Sequence, residues 1–566
     1  MKITIFLILV ELALRTGSGI WAESQPQGFG SAQIPLAVRK VSLEAASSPQ
    51  TLRALYSSLN PKSVSQHLAF HELYPDSSEG KRALSHAWEL LGKKDSENGR
   101  GHFATLIQAM TALVNRQPGD PIPHLEESEL LAIEQLGKSL ANRKLQGYAA
   151  QCEDEVLSLP SDQIDLGRAI LCAQATKEGA DKWEQRSYEA LLDLMALQIR
   201  ARLPDHPSPA ATIHAMNQFL FGELGFRFPP HSLYAKEIDF YTFLPSVLDS
   251  RKGVCLGVSI LYICLAQRLG MVLEMITPPG HIYVRYRSKT EEINIETTAR
   301  GIHLNSEEYL GINTCQLHQR TLKEVIGFAY VNQASVYSQT GQYQKAVRAY
   351  EHAQQYLPDD FLLKELLGYH YLFHDETSKG MELLREVKGK TAPDAVVPET
   401  MAADLLNGQC DIKGIKAVFM PVDDSRESLL CKRSALEGVL EEYPSFREGL
   451  FNLAVVWIQL YRCQEAIEAL QRYHALDANH PVVEYYLAML YAEQFDYANA
   501  WACLVRAENI VHKHGYAPKA LVQLRRALRL KCPESKNLSS YYCQDDLCAK
   551  FCCKASDRDV KTGSKN

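Results

Sequence analysis

From Val325 onward the sequence repeats itself at a shift of 34 residues. With Gly327 as position 1, Tyr330, Ala334, Tyr337, Ala346, Tyr350, Ala353 and Pro358 fall at positions 4, 8, 11, 20, 24, 27 and 32. A second unit starts at Phe361, with Leu367, Gly368 and Tyr371 in register. Two more start at Arg447 and Pro481: the first carries Leu453, Ala454, Trp457, Ala466 and Leu470, the second Leu487, Ala488, Tyr491, Ala500, Leu504 and Ala507. Such a period constrains the fold strongly. Each unit is a helix pair that cannot bury its apolar face alone, so neighbours must stack into a solenoid.

A 34-residue period with small residues at positions 8, 20 and 27 is that of tetratricopeptide helix pairs. Residues 395–446 interrupt it with APDAVVPE and FMPVDDS, and a degenerate helix pair is expected there, around Ser434 to Glu442. The concave face of such a stack usually binds a peptide or protein, so a protein or peptide partner is expected; the alternative is that the repeats only brace what precedes them.

Chemistry concentrates upstream, between Leu248 and Gly301. Arg251-Lys252-Gly253 precede Cys255, and Leu256 to Leu269 reads as a helix ended by Gly270. Cys255 therefore sits at a helix start, where the dipole and unpaired N–H groups favour a thiolate and offer oxyanion donors. Arg251 and Lys252 are expected to act in the same sense. Cys264, inside the helix on an apolar pattern, reads as core. Pro278-Pro279-Gly280 forces a turn, and His281 opens an alternating strand, HIYVRYR. Ile293 to Thr297 is a second strand, joined to the first through Arg287 to Thr290. With Tyr286 opposite Glu291, His281 faces Glu296 and Asn294 faces Tyr283. A carboxylate beside an imidazole fixes its tautomer and stabilises the imidazolium. The candidate catalytic set is Cys255, His281 and Glu296, with Asn294 as a reserve orienter. Taken singly, each is commonly structural: a Cys at a helix start, a polar residue at a strand end, a solvated Glu on a hairpin.

These stretches resemble a known family. MNQFLFGELGF (Met216 to Phe226), FLPSVLDSRKGVCLGVSILYICLAQRLG, TPPGHIYVRY and INIETTARG are similar to SirB-type transglutaminase-like proteins, in which a transglutaminase-core domain precedes tetratricopeptide repeats. The resemblance covers roughly Asp162 to Cys315. It implies an α+β cysteine-protease/transglutaminase-like core with a Cys–His–Asp triad, carried over here as Cys255, His281 and the acidic position of the last strand, Glu296, one methylene longer than Asp. The fold class expected is that core, preceded by an all-α region and followed by an α-solenoid of tetratricopeptide repeats. The function expected is thiol-dependent acyl transfer or amide hydrolysis. The alternative is a catalytically silent scaffold; a weaker third reading, cell-wall peptide processing, pairs the core with export.

The remaining chain supplies context. MKITIFLILVELALRTGSGIWAES has a short positive start, an apolar run broken by Glu11, and small residues near Ala22, so 1–22 reads as a signal peptide and an exported location, periplasmic or secreted, is expected; the alternative is a cytoplasmic helix. Residues 23–161 read as a mostly helical N-terminal region, 162–315 as the transglutaminase-like domain, 325–515 as the repeats and 516–566 as a Cys-rich tail. Of 14 cysteines, nine lie between Cys152 and Cys503, mostly in helical apolar patterns, and read as small buried side chains. Five crowd the tail: Cys532, Cys543, Cys548, Cys552 and Cys553. In an exported chain these are most simply disulfide-bonded, with metal as the alternative, although no C-x-x-C pair is present. No cofactor is implied. A net charge of −7 without a basic stripe argues against nucleic-acid binding, and no later stretch is long and apolar enough for an integral membrane span once the signal is removed.

Overall fold

The computed structural model describes residues 48–92, 100–178, 182–230, 237–423 and 425–532. The signal segment and four of the tail cysteines, Cys543, Cys548, Cys552 and Cys553, lie outside the described residues.

The N-terminal part is helical: α1 (Pro49–Ser57), α2 (Val64–Leu73), α3 (Ser78–Leu90), α4 (Arg100–Val114), α5 (Glu127–Leu136) and α6 (Glu153–Ser158). Side-chain caps start the first three, from Ser48, Ser63 and Ser77. The chain continues through α7 (Leu166–Glu178), α8 (Lys182–Arg200), α9 (Pro209–Asn217), a six-residue π-turn over Gln218–Glu223, α10 (Leu244–Ser250) and α11 (Cys255–Arg268). α11 is apolar on nearly every side, because it is buried nearly all round beneath the sheet and the helices about it. It ends where Gly270 takes a left-handed φ of 78° and the Met271 N–H returns to the Ala266 carbonyl.

Four short antiparallel strands follow: β1 (Glu274–Thr277), β2 (Tyr283–Arg287), β3 (Glu292–Ile295) and β4 (His318–Arg320), in the order β3-β2-β1-β4. β1 and β4 are not apparent in the sequence reading. Each has only three or four residues, too few to show alternation. β4 also lies beyond Cys315, where the central domain was drawn to close.

The hairpin register differs from the expected one. Val284 pairs with Ile295, Arg285 with Asn294, Tyr286 with Ile293 and Arg287 with Glu292, a slip of two residues. The loop is Ser288 to Glu291, closed by the Ser288 N–H on the Glu291 carbonyl at 2.8 Å, and Ser288 Oγ accepts from the N–H groups of Thr290 and Glu291. An even slip keeps every side chain on its expected face, which is why the site survives it.

The repeats form α12 (Leu322–Gln339) and α13 (Tyr343–Tyr356), α14 (Phe361–Phe373) and α15 (Thr377–Val387), then α19 (Arg447–Gln459) and α20 (Cys463–Leu476), α21 (Pro481–Glu493) and α22 (Tyr497–His512), closed by α23 (Lys519–Lys531). Three of the four expected unit starts coincide with a first helical residue. Between the pairs lie α16 (Met401–Leu406), α17 (Ile412–Phe419) and α18 (Arg426–Glu442), the last covering the degenerate segment expected near Ser434. Ala334, Ala346, Ala353, Ala454, Ala466, Ala488, Ala500 and Ala507 are fully buried, as close helix approach requires.

The core does not divide where the sequence changes character. One apolar cluster runs from Val64 through α11 and the sheet to Tyr371, and a second runs from Tyr369 to Leu528. α14 shares its faces between the two. The first repeat is fastened to the helices before it: Tyr330 and Tyr356 both donate to Glu153, the Lys323 ammonium to the Leu157 carbonyl, and Asn332 to Thr242 just ahead of the cysteine loop. Behind α11, Arg268 is 1% exposed and donates to Asp193, which also pairs with Arg143; Asp165 lies 4.0 Å from Arg268 and accepts from Asn142. This buried ionic cluster ties α7, α8 and α11 to the N-terminal region.

Candidate active site

Cys255 is the first residue of α11 and is half-buried. Glycines let the chain reach that position. A Cβ on Gly253 would stand 2.7 Å from Val258, and one on Gly257 would stand 2.2 Å from the Tyr241 carbonyl oxygen. The N–H groups of the first helical turn have no acceptor within the helix, as at any helix start, and lie at the end of α11 that carries the thiol. Arg251 does not assist it as expected. Its guanidinium is bound to the carbonyls of Leu224 and Arg116, so it braces the loop.

His281 follows the Pro278–Gly280 turn, in which Gly280 has φ 70° and the His281 N–H returns to the Pro278 carbonyl at 3.1 Å. Its Nε2 lies 2.7 Å from Glu296 Oε2, with the ring still 23% exposed and so reachable by a substrate. Burial by itself would lower its pKa. Hydrogen bonding to Cys255 and to Glu296, with the field of both, pushes it up to about 10 instead. Cys255, His281 and Glu296 are thus brought together in the expected order.

Glu296 directly follows β3, at the start of a short 3-10 turn over Thr297–Ala299, and is almost wholly buried. Burial opposes its charge, but donors overcome that and hold its carboxyl below the ordinary range. Beyond His281 these are the Thr298 N–H at 3.1 Å, the Thr298 hydroxyl and the Tyr309 hydroxyl at 2.9 Å. Tyr309 in turn stacks on Tyr283 at 4.1 Å and lies parallel to the His281 ring at 5.9 Å. Two ties fix the carboxylate against the nucleophile's helix. Ser259 bonds Thr297 at 3.0 Å, and Asn217 joins the Tyr262 hydroxyl to the Gly301 carbonyl. Asn217 belongs to the MNQFLFGELGF motif, which gives that motif a physical role.

Asn294 does not orient His281. It stands opposite Arg285, and its amide donates to the Leu304 carbonyl at 2.7 Å and to Ser306 at 3.0 Å, shaping the loop that carries Tyr309. The polar residues that sequence reasoning missed are Thr298, Tyr309, Asn217 and Ser259. Only Thr298 had a local signal, a hydroxyl and N–H two residues beyond a carboxylate. The others act across 13 to 84 residues of chain.

Residues 186–324 match the family model described as the transglutaminase-like superfamily. This segment is transglutaminase-like. The match begins within α8 and ends at the start of α12, so it takes in α11, all four strands and the site. Among solved structures, TTC0263, a thermophilic tetratricopeptide protein of Thermus thermophilus, is 18% identical, with a TM-score of 0.19, over 36% of this chain and 98% of its own. MamA of Desulfovibrio magneticus RS-1 is 12% identical, with a TM-score of 0.19, over 33% of this chain and 96% of its own. No curated protein matches the chain.

Cys255 is a free thiol. Cys172, Cys264, Cys410 and Cys503 are buried as expected of small core side chains, while Cys152 and Cys431 are exposed.

Proposed function

We propose that the transglutaminase-like segment is a thiol acyltransferase or amidase in which Cys255 is the nucleophile, His281 the acid and base, and Glu296 the group that orients His281. The observation that carries the reading is the linked set Cys255–His281–Glu296, with the 2.7 Å bond between imidazole and carboxylate and a proton held on His281 well above neutral pH. Cys255 would attack a carboxamide or peptide carbonyl, forming the S–C bond of a tetrahedral intermediate. The first-turn N–H groups of α11 would receive the oxyanion. Collapse would expel the amine, protonated by His281, and leave a thioester. Water or a second amine, deprotonated by His281, would then release the acyl group. Protease, deamidase and transglutaminase share this first half.

The repeats behind the segment bind a protein or peptide in this reading, as in a SirB-type arrangement. Two of their turns support it. Tyr461 and Phe495, at equivalent positions one unit apart, have left-handed φ values of 59° and 62° and are 87% and 74% exposed. Large side chains rarely occupy that backbone region, and rings so exposed are open to a partner; Phe495 meets the Tyr497 ring edge-on at 6.4 Å. The same turns bond each other through Gln464 and Gln494.

An acyl-transfer trap tests the proposal. An activated acyl-glycine ester is added to the full-length protein, and the adduct is mapped by mass spectrometry under acidic quench. A thioester on Cys255, absent in Cys255→Ser and slow in His281→Ala, is expected. Acylation elsewhere, or none on a folded protein, favours the silent scaffold.

A further inference from the structure

The loop from Leu304 to Cys315, between β3 and β4, belongs to both halves of the molecule. Its first part is fixed to the hairpin: the Asn294 amide donates to the Leu304 carbonyl and to Ser306, and the Ser306 hydroxyl donates to Glu292 at 3.0 Å. A 3-10 turn over Ser306–Tyr309 then carries Tyr309 to Glu296. Its last part is built into the repeats. The Cys315 N–H donates to the Asp394 carbonyl at 2.9 Å, Thr314 bridges to Ala395, and Asn313 Oδ1 accepts from the N–H groups of Val396 and Val397, both at 3.0 Å. Leu310, Ile312 and Cys315 pack on the second apolar cluster, the one that the later repeat helices form.

A second clasp comes from the far end of the solenoid. After α22, Gly515 takes a left-handed φ of 77° and its N–H returns to the His512 carbonyl at 2.9 Å, a turn that brings Tyr516 back onto the loop. Tyr516 is buried, and its hydroxyl meets the carbonyls of Gly311 at 3.1 Å and Ile312 at 2.9 Å, 205 and 204 residues away in the chain. A buried tyrosine needs a partner for its hydroxyl, and both of these acceptors lie in this one loop. Lys519, the first residue of α23, pairs with Glu308. The clasped residues, Glu308 on one side and Gly311 and Ile312 on the other, flank Tyr309. A single 3-10 turn makes few bonds of its own, so the place of Tyr309 depends on what holds the loop around it.

We infer that Tyr516 is a positioning residue of the transglutaminase-like site: by clasping the loop against the last repeats, it seats the Tyr309 hydroxyl on Glu296. The end of the solenoid thereby takes part in the site, and a change of shape at the turn between α22 and α23 reaches the carboxylate that holds His281. Tyr516 acts through Tyr309, whose hydroxyl is one of the donors that favour the charged form of Glu296 against its burial. The consequence for catalysis rests on the acyl-transfer reading; the seating of Tyr309 does not.

The test uses the full chain with glutamate labelled by carbon-13 at the side-chain carboxyl. The Glu296 signal, assigned by its loss in Glu296→Gln, is followed by NMR through an acid titration. Tyr309→Phe removes the donor itself and should raise the Glu296 midpoint by at least about half a pH unit. Tyr516→Phe keeps the buried ring and deletes only the hydroxyl, and should raise the same midpoint by at least about 0.2 of a pH unit. Added to Tyr309→Phe, it should raise the midpoint no further, because both changes break one path. A midpoint unmoved by either change, or a Tyr516→Phe shift that persists in full in the Tyr309→Phe background, would overturn the inference. The titration reads the carboxyl whether or not Cys255 takes up an acyl group, so a failed acyl trap and a failed clasp are told apart.

Discussion

At the residue scale, Glu296 decides the electrostatics of the site. It accepts from His281, Tyr309 and both donors of Thr298, so its charge is held despite burial. The linkage to stability has a definite sign. The raised His281 pKa contributes fully below about 6.5, its ordinary value, and that contribution is lost as pH rises through about 10. The lowered Glu296 pKa contributes above about 4.5 and is lost as pH falls below it. In Glu296→Gln the imidazole loses its charged partner and titrates lower. Melting curves should therefore show the largest deficit of this variant between about pH 5 and 6.5, converging with the native protein near pH 10. A deficit that does not change with pH would mean that Glu296 acts only by shape. Turnover, once an acyl donor is found, should fall by about 10²–10⁴ in His281→Ala.

At the element scale, the sequence revealed more of the helices than of the sheet. α11, its glycine stop and the repeats were legible because apolar periodicity and the 34-residue shift extend over many residues. The hairpin was legible too, but its register was not: the loop Ser288–Glu291 is set by Ser288 side-chain bonds, which alternation does not encode. Parity protected the pairing of His281 with Glu296. Tyr309 and Asn217 were invisible because their partners are remote in sequence. The buried ions behind α11 give a prediction on stability. Asp193→Ala removes the carboxylate shared by Arg143 and Arg268 and leaves charge stranded in the core. A loss of about 3–5 kcal/mol is expected by urea unfolding, as for other broken buried pairs. A loss under about 1 kcal/mol, the range of exposed pairs, would show that water reaches the cluster.

At the scale of the whole molecule, the apolar cluster from Val64 to Tyr371 joins the N-terminal helices, the transglutaminase-like segment and the first repeats. The composition shifts near 161 and 315 mark changes of local structure, not gaps in packing. A fragment limited to residues 162–324 would expose the faces of α7, α8 and α11 that the flanking helices cover. It should lack the dispersed amide NMR spectrum of a folded domain, whereas 48–387, which keeps the cluster whole, should show one. A well-folded 162–324 fragment would contradict this account of the core. No helix among the described residues is long and apolar enough to cross a membrane. The proposed export rests on residues 1–22, and amino-terminal sequencing of the protein from its native cells would find it starting near residue 23.

The central claim is that Cys255 works with His281. Iodoacetamide labelling of the full-length protein from about pH 5 to pH 8, with each alkylated cysteine quantified by peptide mapping, tests it most directly. The account predicts that Cys255 is alkylated first at the acid end, ahead of the exposed Cys152 and Cys431, and that this advantage disappears in His281→Ala. Labelling of Cys255 no faster than Cys152 and Cys431, or unaffected by loss of the imidazole, would contradict it.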